Sequence, residues 1–174
     1  MSITPDTKDW TWVLDRRCPE CGFEAANFDL ATLPTTLRNN AQTWADDVLP
    51  RTDVRQRPDD STWSPLEYAC HVRDVFRLYL FRLNLMLTRD DPDFPNWDQN
   101  ETAVAERYGE QDPATVAVEV AGAGTELADA FERVTDGDWE RTGNRSDGAR
   151  FTVESFARYL VHDPVHHLHD VGAS

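Results

Sequence analysis

Residues 64–89 constrain the fold more than any other part of the sequence, because their pattern is that of a long amphipathic helix. Ser64 is a favourable N-cap, Pro65 suits the first helical position, and Glu67 completes a capping-box pattern. The apolar residues that follow recur at helical spacing and form one face: Tyr68, Val72, Val75, Tyr79, Leu83 and Met86. A helix of this length must bury that face against other helices, so a helical bundle is predicted.

Three further segments carry long helical patterns. Residues 33–49 have apolar side chains at helical spacing, residues 112–135 follow an Asp-Pro start, and the last helix begins at Thr152. Residues 101–108 are predicted to form one short helix. Residues 139–152 contain an Asp-Gly pair between strand-like residues, which predicts a hairpin. The sequence therefore predicts an all-α protein: a four-helix bundle with a short β-hairpin before the last helix and an irregular N-terminal segment.

The composition restricts the classes of partner. A chain of 174 residues is long enough to form one domain with a core of its own. Its formal net charge of −15 argues against nucleic-acid and anionic-membrane partners, because their phosphate groups would be repelled. The sequence has no apolar run long enough for a membrane span, and residues 1–9 lack the features of a secretory signal. A cytoplasmic protein is expected.

Four of the five histidines lie in the predicted last helix, within residues 160–171. Residues four apart share one face of a helix, so His162 with His166, and equally Asp163 with His167, are spaced to bind one metal ion. A third ligand from another helix would give a site with open positions, as in catalytic metal sites. The alternative interpretation is a histidine-rich, partly exposed helix end.

Two further residues bear on that interpretation. The fifth histidine, His71, lies at the edge of the apolar face of the long helix, where a histidine with ordinary hydrogen bonds is the alternative to a ligand. Pro164 lies inside the histidine cluster and is predicted to break the last helix there, because proline removes a backbone hydrogen bond. Such local violations are expected at functional sites.

A second group of candidate metal ligands lies near the N-terminus, where Cys18-Pro19-Glu20-Cys21-Gly22 has the pattern of a zinc knuckle. A closed tetrahedral site needs four ligands, and the sequence has no second Cys-x-x-Cys pair. Cys18 and Cys21 therefore have three interpretations: half of a structural zinc site completed by another chain, a redox pair, or a turn with small buried thiols. The last interpretation is favoured.

Arginines gather around the predicted hairpin, which is unusual in so acidic a chain. Arg145 and Arg150 are candidate substrate-binding residues, because guanidinium groups bind carboxylates in a bidentate manner. Pairing with acidic residues of the surface is the alternative.

Two stretches together resemble the motifs of a known family. Residues 63–75, which read WSPLEYACHVRDV, and residues 160–171, which read LVHDPVHHLHDV, are similar to the second-helix and last-helix motifs of the DinB-like (YfiT-like) superfamily of metalloenzymes. The resemblance implies a four-helix bundle of up-down-down-up topology over residues 31–174, with residues 1–30 as an extension that carries the Cys-Pro-x-Cys-Gly knuckle. It also implies a divalent metal: zinc, nickel, iron or manganese.

In this family one residue of the second helix and two of the last helix hold the metal, which makes His71 the first ligand. The other two are His162 and His166 in one register, which is favoured as a three-histidine set. In the alternative register they are Asp163 and His167. Glu67 and Asp170 are then expected to orient the ligands, as outer-shell carboxylates do.

Several members of the family are thiol-dependent transferases or isomerases, of which mycothiol-dependent maleylpyruvate isomerase is one. The resemblance therefore implies a metal-dependent transferase or isomerase that uses a low-molecular-weight thiol of the mycothiol or bacillithiol type and a small-molecule electrophile. A non-enzymatic, metal-stabilised, dimeric binding protein related to stress is the alternative. Bundles of this family often pair, so the resemblance is also consistent with a homodimer.

Overall fold

The structure is a computed structural model that describes residues 10–173. Its α-helices and β-strands are α1 (Leu33–Thr43), α2 (Pro65–Thr88), β1 (Asp93–Phe94), α3 (Gln99–Ala105), α4 (Pro113–Glu132), β2 (Thr142–Arg145), β3 (Arg150–Thr152) and α5 (Val153–Asp170). In the part of the chain that the structure describes, no helix has the length and apolar character needed to cross a membrane.

The long helices α1, α2, α4 and α5 form the predicted bundle. Helix α4 packs against α1 and α2, and α5 contacts the same two helices. The core between them contains the fully buried side chains of Trp44, Phe76, Leu127 and Leu160. The predicted all-α fold with a hairpin before the last helix is confirmed. The first helix is less regular than predicted. Helix α1 ends at Thr43, and a π-helical turn follows it from Trp44 to Val48.

The N-terminus of α2 has the predicted capping box. The Ser64 hydroxyl accepts a hydrogen bond from the Glu67 backbone N–H, and the Glu67 carboxylate accepts one from the Ser64 backbone N–H at 2.9 Å. The same carboxylate pairs with the Arg57 guanidinium, and its side chain is only 8% exposed. This network fixes the residue at which α2 begins. It thereby sets the position of the α2 side chains along the axis of the bundle.

We expect Glu67→Gln to lower the free energy of unfolding by about 1–2 kcal/mol, since it weakens the cap and removes the ion pair between Glu67 and Arg57. Burial raises the pKa of Glu67, but Arg57 and Ser64 outweigh it, so the pKa lies below its ordinary value of 4.5. A lowered pKa contributes stability that is present above that ordinary value and is lost as the pH falls through the folded-state value. Urea denaturation should therefore show a smaller difference from wild type in acid. Glu126→Gln, at an exposed position of α4, is the matched control and should change little.

The hairpin belongs to a slightly larger sheet than the sequence predicts. Strands β2 and β3 pair antiparallel, with Gly143 opposite Phe151, and β1 adds a parallel partner to β2. A Cβ atom at Gly143 would lie 2.8 Å from Phe94 Cε1 and 2.9 Å from Met86 Cγ. The glycine therefore lets the sheet lie directly against the end of α2.

The predicted break at Pro164 is wrong, because α5 continues through this residue to Asp170. Pro164 is buried, and its carbonyl accepts a hydrogen bond of 2.7 Å from the Asn40 side chain of α1. Burial of Pro164 and this contact with α1 hold α5 in place where the backbone hydrogen bond is missing. The short helix also differs slightly, since α3 ends at Ala105 and a separate 3-10 turn follows at Tyr108–Glu110.

The described part of the N-terminal segment packs along α5. The Arg158 guanidinium donates hydrogen bonds to the carbonyls of Ala25 at 2.5 Å and Phe28 at 2.8 Å. Val13 and Cys18 are buried. The segment therefore covers one face of α5. This is the face that carries His162 and His166.

Candidate metal centre

His71, Asp163 and His167 converge between α2 and α5. Asp163 Oδ1 lies 3.3 Å from His71 Nε2 and 3.7 Å from His167 Nε2. One potential ligand atom of each residue lies within 4.8 Å of the other two. Ligand atoms bound to one ion at about 2.1 Å lie roughly 3.0–3.5 Å apart, so this spacing is close to that of a metal site.

The buried polar atoms of this group lack ordinary partners. His71 is fully buried, and among the described residues its Nδ1 has no hydrogen-bond partner, while its Nε2 faces only the buried Asp163 Oδ1 at 3.3 Å, without the geometry of a hydrogen bond. Buried polar atoms without partners are rare in native proteins, and an ion is one of the recognised reasons for them. Two imidazoles and one carboxylate are also the donor set of several catalytic metal sites. The residues therefore fit a divalent metal.

Aromatic rings hold the two histidines in place. The Trp97 ring stacks on His71 with a centroid distance of 5.4 Å and an interplanar angle of 4°, and Trp63 lies 5.3 Å from the same ring. Tyr68 packs on His167 at 4.7 Å. These contacts restrict rotation of both imidazoles and exclude water from the inner side of the group.

Asp170 orients His167. Its Oδ2 atom lies 2.8 Å from His167 Nδ1, so the proton on that nitrogen is shared with the carboxylate and Nε2 keeps its lone pair. Burial raises the pKa of Asp170, but the hydrogen bond to His167 and the nearby histidine rings together outweigh it, and the net shift is downward. Glu67, the other predicted orienting residue, is instead engaged with Ser64 and Arg57 at the start of α2.

The electrostatics favour an ionised carboxylate next to the two histidines. Burial raises the pKa of Asp163, but the adjacent rings of His71 and His167 lower it more, so the pKa lies well below its ordinary value. Asp163 is therefore a carboxylate at neutral pH, as a metal ligand must be.

A cavity of about 370 Å³ opens beside this group. Its wall includes Asp163 and His167 together with Tyr68, Tyr79 and Tyr159. Burial raises the pKa of Tyr79 well above its ordinary value, so this phenol remains neutral. The volume is within the range of small-molecule sites, and the wall combines apolar ring faces with polar groups.

His162 and His166, the favoured ligand pair of the sequence analysis, do not lie beside His71. They face the N-terminal segment, where one potential ligand atom of each lies within 4.8 Å of the thiols of Cys18 and Cys21. The two registers differ by one residue, or about 100° around the helix, so only one of them can face α2. The structure brings His71 together with the alternative pair, Asp163 and His167.

Comparison with known proteins identifies the family. The DinB superfamily model matches residues 35–171. The chain belongs to the DinB superfamily. The structure of this DinB-superfamily chain is similar to that of YfiT from Bacillus subtilis, described as a probable metal-dependent hydrolase with an unusual four-helix bundle topology. The TM-score is 0.72, with 17% sequence identity over 83% of this chain and 85% of YfiT. No curated protein matches the chain.

The two candidate substrate-binding arginines of this DinB-superfamily chain lie near the hairpin and are paired. Arg145 bonds Asp147 at 2.9 Å and lies 3.4 Å from the Tyr159 hydroxyl, which connects it indirectly to the cavity. Arg150 pairs with Asp91 at 2.9 Å at an exposed position. Binding of a substrate carboxylate by either residue stays a prediction.

The sequence did not indicate several residues around the histidines. Glu20 Oε2 lies 3.3 Å from His166 Nε2, and Trp10 packs on His162 and His166 with centroid distances of 5.5 and 5.4 Å. Glu20 lies between Cys18 and Cys21 in the sequence. Only the folded turn, however, shows that its side chain reaches His166. The tyrosines of the cavity have no sequence signal beyond helical spacing.

Proposed function

We propose that this DinB-superfamily chain binds a divalent metal through His71, Asp163 and His167 and is a metal-dependent enzyme that acts on a small molecule in the adjacent cavity. The observation that carries the proposal is the convergence of three ligand atoms, of which His71 Nε2 and Asp163 Oδ1 are buried 3.3 Å apart without hydrogen-bond geometry to any described residue. Zinc suits a site with two histidines and one carboxylate, and iron, nickel or manganese are the alternatives.

The three ligands and the residues that contact them then have separate roles. His71 and His167 supply neutral imidazole nitrogens, and Asp163 supplies the negative charge that partly neutralises the ion. Asp170 keeps the His167 proton on Nδ1, 2.8 Å away, so that Nε2 faces Asp163 and His71. Trp63 and Trp97 close the inner side of the group, which leaves the cavity as the direction of approach for a substrate.

A divalent metal with open positions lowers the pKa of a thiol or of water and thereby supplies a nucleophile at neutral pH. We propose a low-molecular-weight thiol of the mycothiol or bacillithiol type as the nucleophile in a transferase or isomerase reaction. The resemblance to thiol-dependent family members and the size of the cavity support this choice. Water is the second candidate, which the likeness to YfiT supports, and the reaction would then be a hydrolysis.

The test uses untagged protein loaded with Co²⁺, whose absorption spectrum reports its ligands. Glutathione and a cysteinyl-glucosamine thiol are added in separate titrations. We expect a new thiolate-to-metal charge-transfer band that saturates with thiol concentration, and we expect His71→Ala to abolish the increase. Only the difference spectrum on thiol addition is interpreted, because cysteines of the chain contribute a constant background.

His169→Ala is the matched control, because His169 lies exposed in the last turn of α5. It should show the same saturating band as wild type. A wild-type protein that binds one metal at this site but shows no spectral change with either thiol would contradict the thiol-dependent reaction. Loss of ester or amide hydrolysis in His71→Ala would then support the hydrolase.

A further inference from the structure

The face of α5 next to the one that carries Asp163 and His167 meets the Cys-Pro-Glu-Cys-Gly turn and forms a second group of metal-binding atoms. Cys18, Cys21, His162 and His166 each place one ligand atom within 4.8 Å of the other three. Cys18, His162 and His166 are buried, with exposed fractions of 1%, 4% and 6%. None of the four residues belongs to the group around His71.

The turn is shaped to present both thiols on one side. The Cys18 backbone N–H donates to the Phe23 carbonyl at 2.8 Å, and the Gly22 N–H donates to the Cys18 carbonyl at 3.0 Å. Gly22 has a φ of +76°, which favours glycine at this position. The Arg17 guanidinium donates to the Gly22 carbonyl at 2.9 Å and closes the turn. The backbone of the turn is thus held by its own hydrogen bonds.

The two histidines complete the set with the correct atoms. His166 Nδ1 lies 3.7 Å from Cys18 Sγ, whereas its Nε2 faces Glu20 at 3.3 Å and Asp170 at 3.6 Å. Two carboxylates on Nε2 favour a proton there, which directs the Nδ1 lone pair at the thiols. His162 Nε2 is also buried, and no residue within the described range 10–173 forms a hydrogen bond with it. This atom is the second, independent indication of a missing ligand.

We propose that Cys18, Cys21, His162 and His166 form a closed tetrahedral zinc site within one chain. A sulfur and a nitrogen bound to the same zinc ion, at about 2.3 and 2.0 Å, lie about 3.5 Å apart, close to the 3.7 Å between Cys18 and His166. Four protein ligands leave no open position, which is the mark of a structural rather than a catalytic site. Glu20 and Asp170 orient His166 as outer-shell carboxylates do.

The role of this zinc ion is to fasten the N-terminal segment to α5. Its two histidine ligands immediately precede Asp163 and His167 in the sequence. Fixing His162 and His166 on the segment therefore fixes the rotation of α5 that turns Asp163 and His167 toward His71. Asp170 contacts both groups, at 2.8 Å from His167 and 3.6 Å from His166. The zinc site uses none of the three ligands of the proposed catalytic metal, so each proposal stands without the other.

The experiment compares zinc content and Co²⁺ spectra of full-length, untagged wild type with those of Cys18→Ser/Cys21→Ser and His71→Ala. We expect the double variant to bind one ion per chain fewer and to lose the thiolate-to-cobalt band recorded without added thiol. We expect His71→Ala to keep that band. We also expect chelation to lower the melting temperature of wild type more than that of the double variant.

A third variant keeps the test decisive if the double variant does not fold. In His162→Gln, both thiols remain and a nitrogen ligand is lost, so the cobalt band should shift and zinc should dissociate faster. Cys70→Ser is the matched control, because Cys70 is a buried cysteine of α2 outside the group. A wild-type protein without a thiolate-to-cobalt band, or with a Cys18–Cys21 disulfide when purified with zinc, would overturn the proposal. So would an ion released when a dimer dissociates, since the four ligands would then come from two chains.

Discussion

Replacing His71 by alanine is expected to lower the affinity of the candidate metal centre by at least about 100-fold, because loss of an outer-shell partner alone typically costs about 10–100-fold. His71 is the only ligand of this group that α2 contributes, and both of its ring nitrogens are buried, with Nε2 facing Asp163 Oδ1 at 3.3 Å. Elemental analysis of untagged protein should show one ion per chain fewer than in wild type. Any metal-dependent activity should be lost with it.

Two further variants separate loss of the ligand from loss of the fold. Asp163→Asn keeps the shape of the side chain and removes its charge, so it should weaken metal binding while the far-ultraviolet circular dichroism stays that of wild type. His169→Ala removes an exposed histidine from the same helix and should leave the metal content unchanged. Unchanged stoichiometry in both His71→Ala and Asp163→Asn would rule out this metal centre.

Gly124→Ala is expected to destabilise the bundle by about 2–3 kcal/mol, because a small-to-large change in a packed core forces its neighbours apart. A Cβ atom on Gly124 would lie 2.4 Å from Ala41 Cβ and 3.2 Å from Phe76 Cε2. Ala41 belongs to α1, so the two helices would have to separate. In thermal unfolding the midpoint should fall by roughly 5–10 °C for a chain of this size.

Gly122→Ala is the matched comparison, two residues away in the same helix. Apart from the adjacent backbone of α4 itself, no atom of the described residues lies within 4 Å of a Cβ built on Gly122, so only the gain in helix propensity remains. Gly122→Ala should therefore stabilise the protein by up to about 1 kcal/mol. Urea midpoints that move in the same direction for both variants would show that α1 and α4 do not pack through Gly124.

The sequence was sufficient for the helices because their signals are local. The capping box at Ser64 and Glu67 forms within one turn, and the apolar spacing of α2 depends only on residues three and four apart. The Asp-Gly turn likewise specified the hairpin of β2 and β3 from its own residues. Strand β1 had no such signal, because two residues become a strand only when β2 lies beside them.

Local sequence patterns also could not predict that α5 continues through Pro164 without interruption. Proline does remove a backbone hydrogen bond there, as its chemistry requires. The sequence does not show, however, that the Asn40 side chain donates a hydrogen bond to the Pro164 carbonyl, because the two residues are 124 positions apart. Tertiary packing thus keeps α5 helical at a residue that the local rule disfavours.

The sequence by itself determined that α5 carries two pairs of metal-binding residues, each four apart and offset by one position. Spacing along a helix does not show which neighbouring segment each face of the helix contacts in the fold. It therefore could not show which pair lies beside His71. The tertiary structure made that choice: α2 brings His71 to Asp163 and His167, and the knuckle brings Cys18 and Cys21 to His162 and His166. A rotation of about 100° separates the two faces, and only packing against two different segments gives each face its partner.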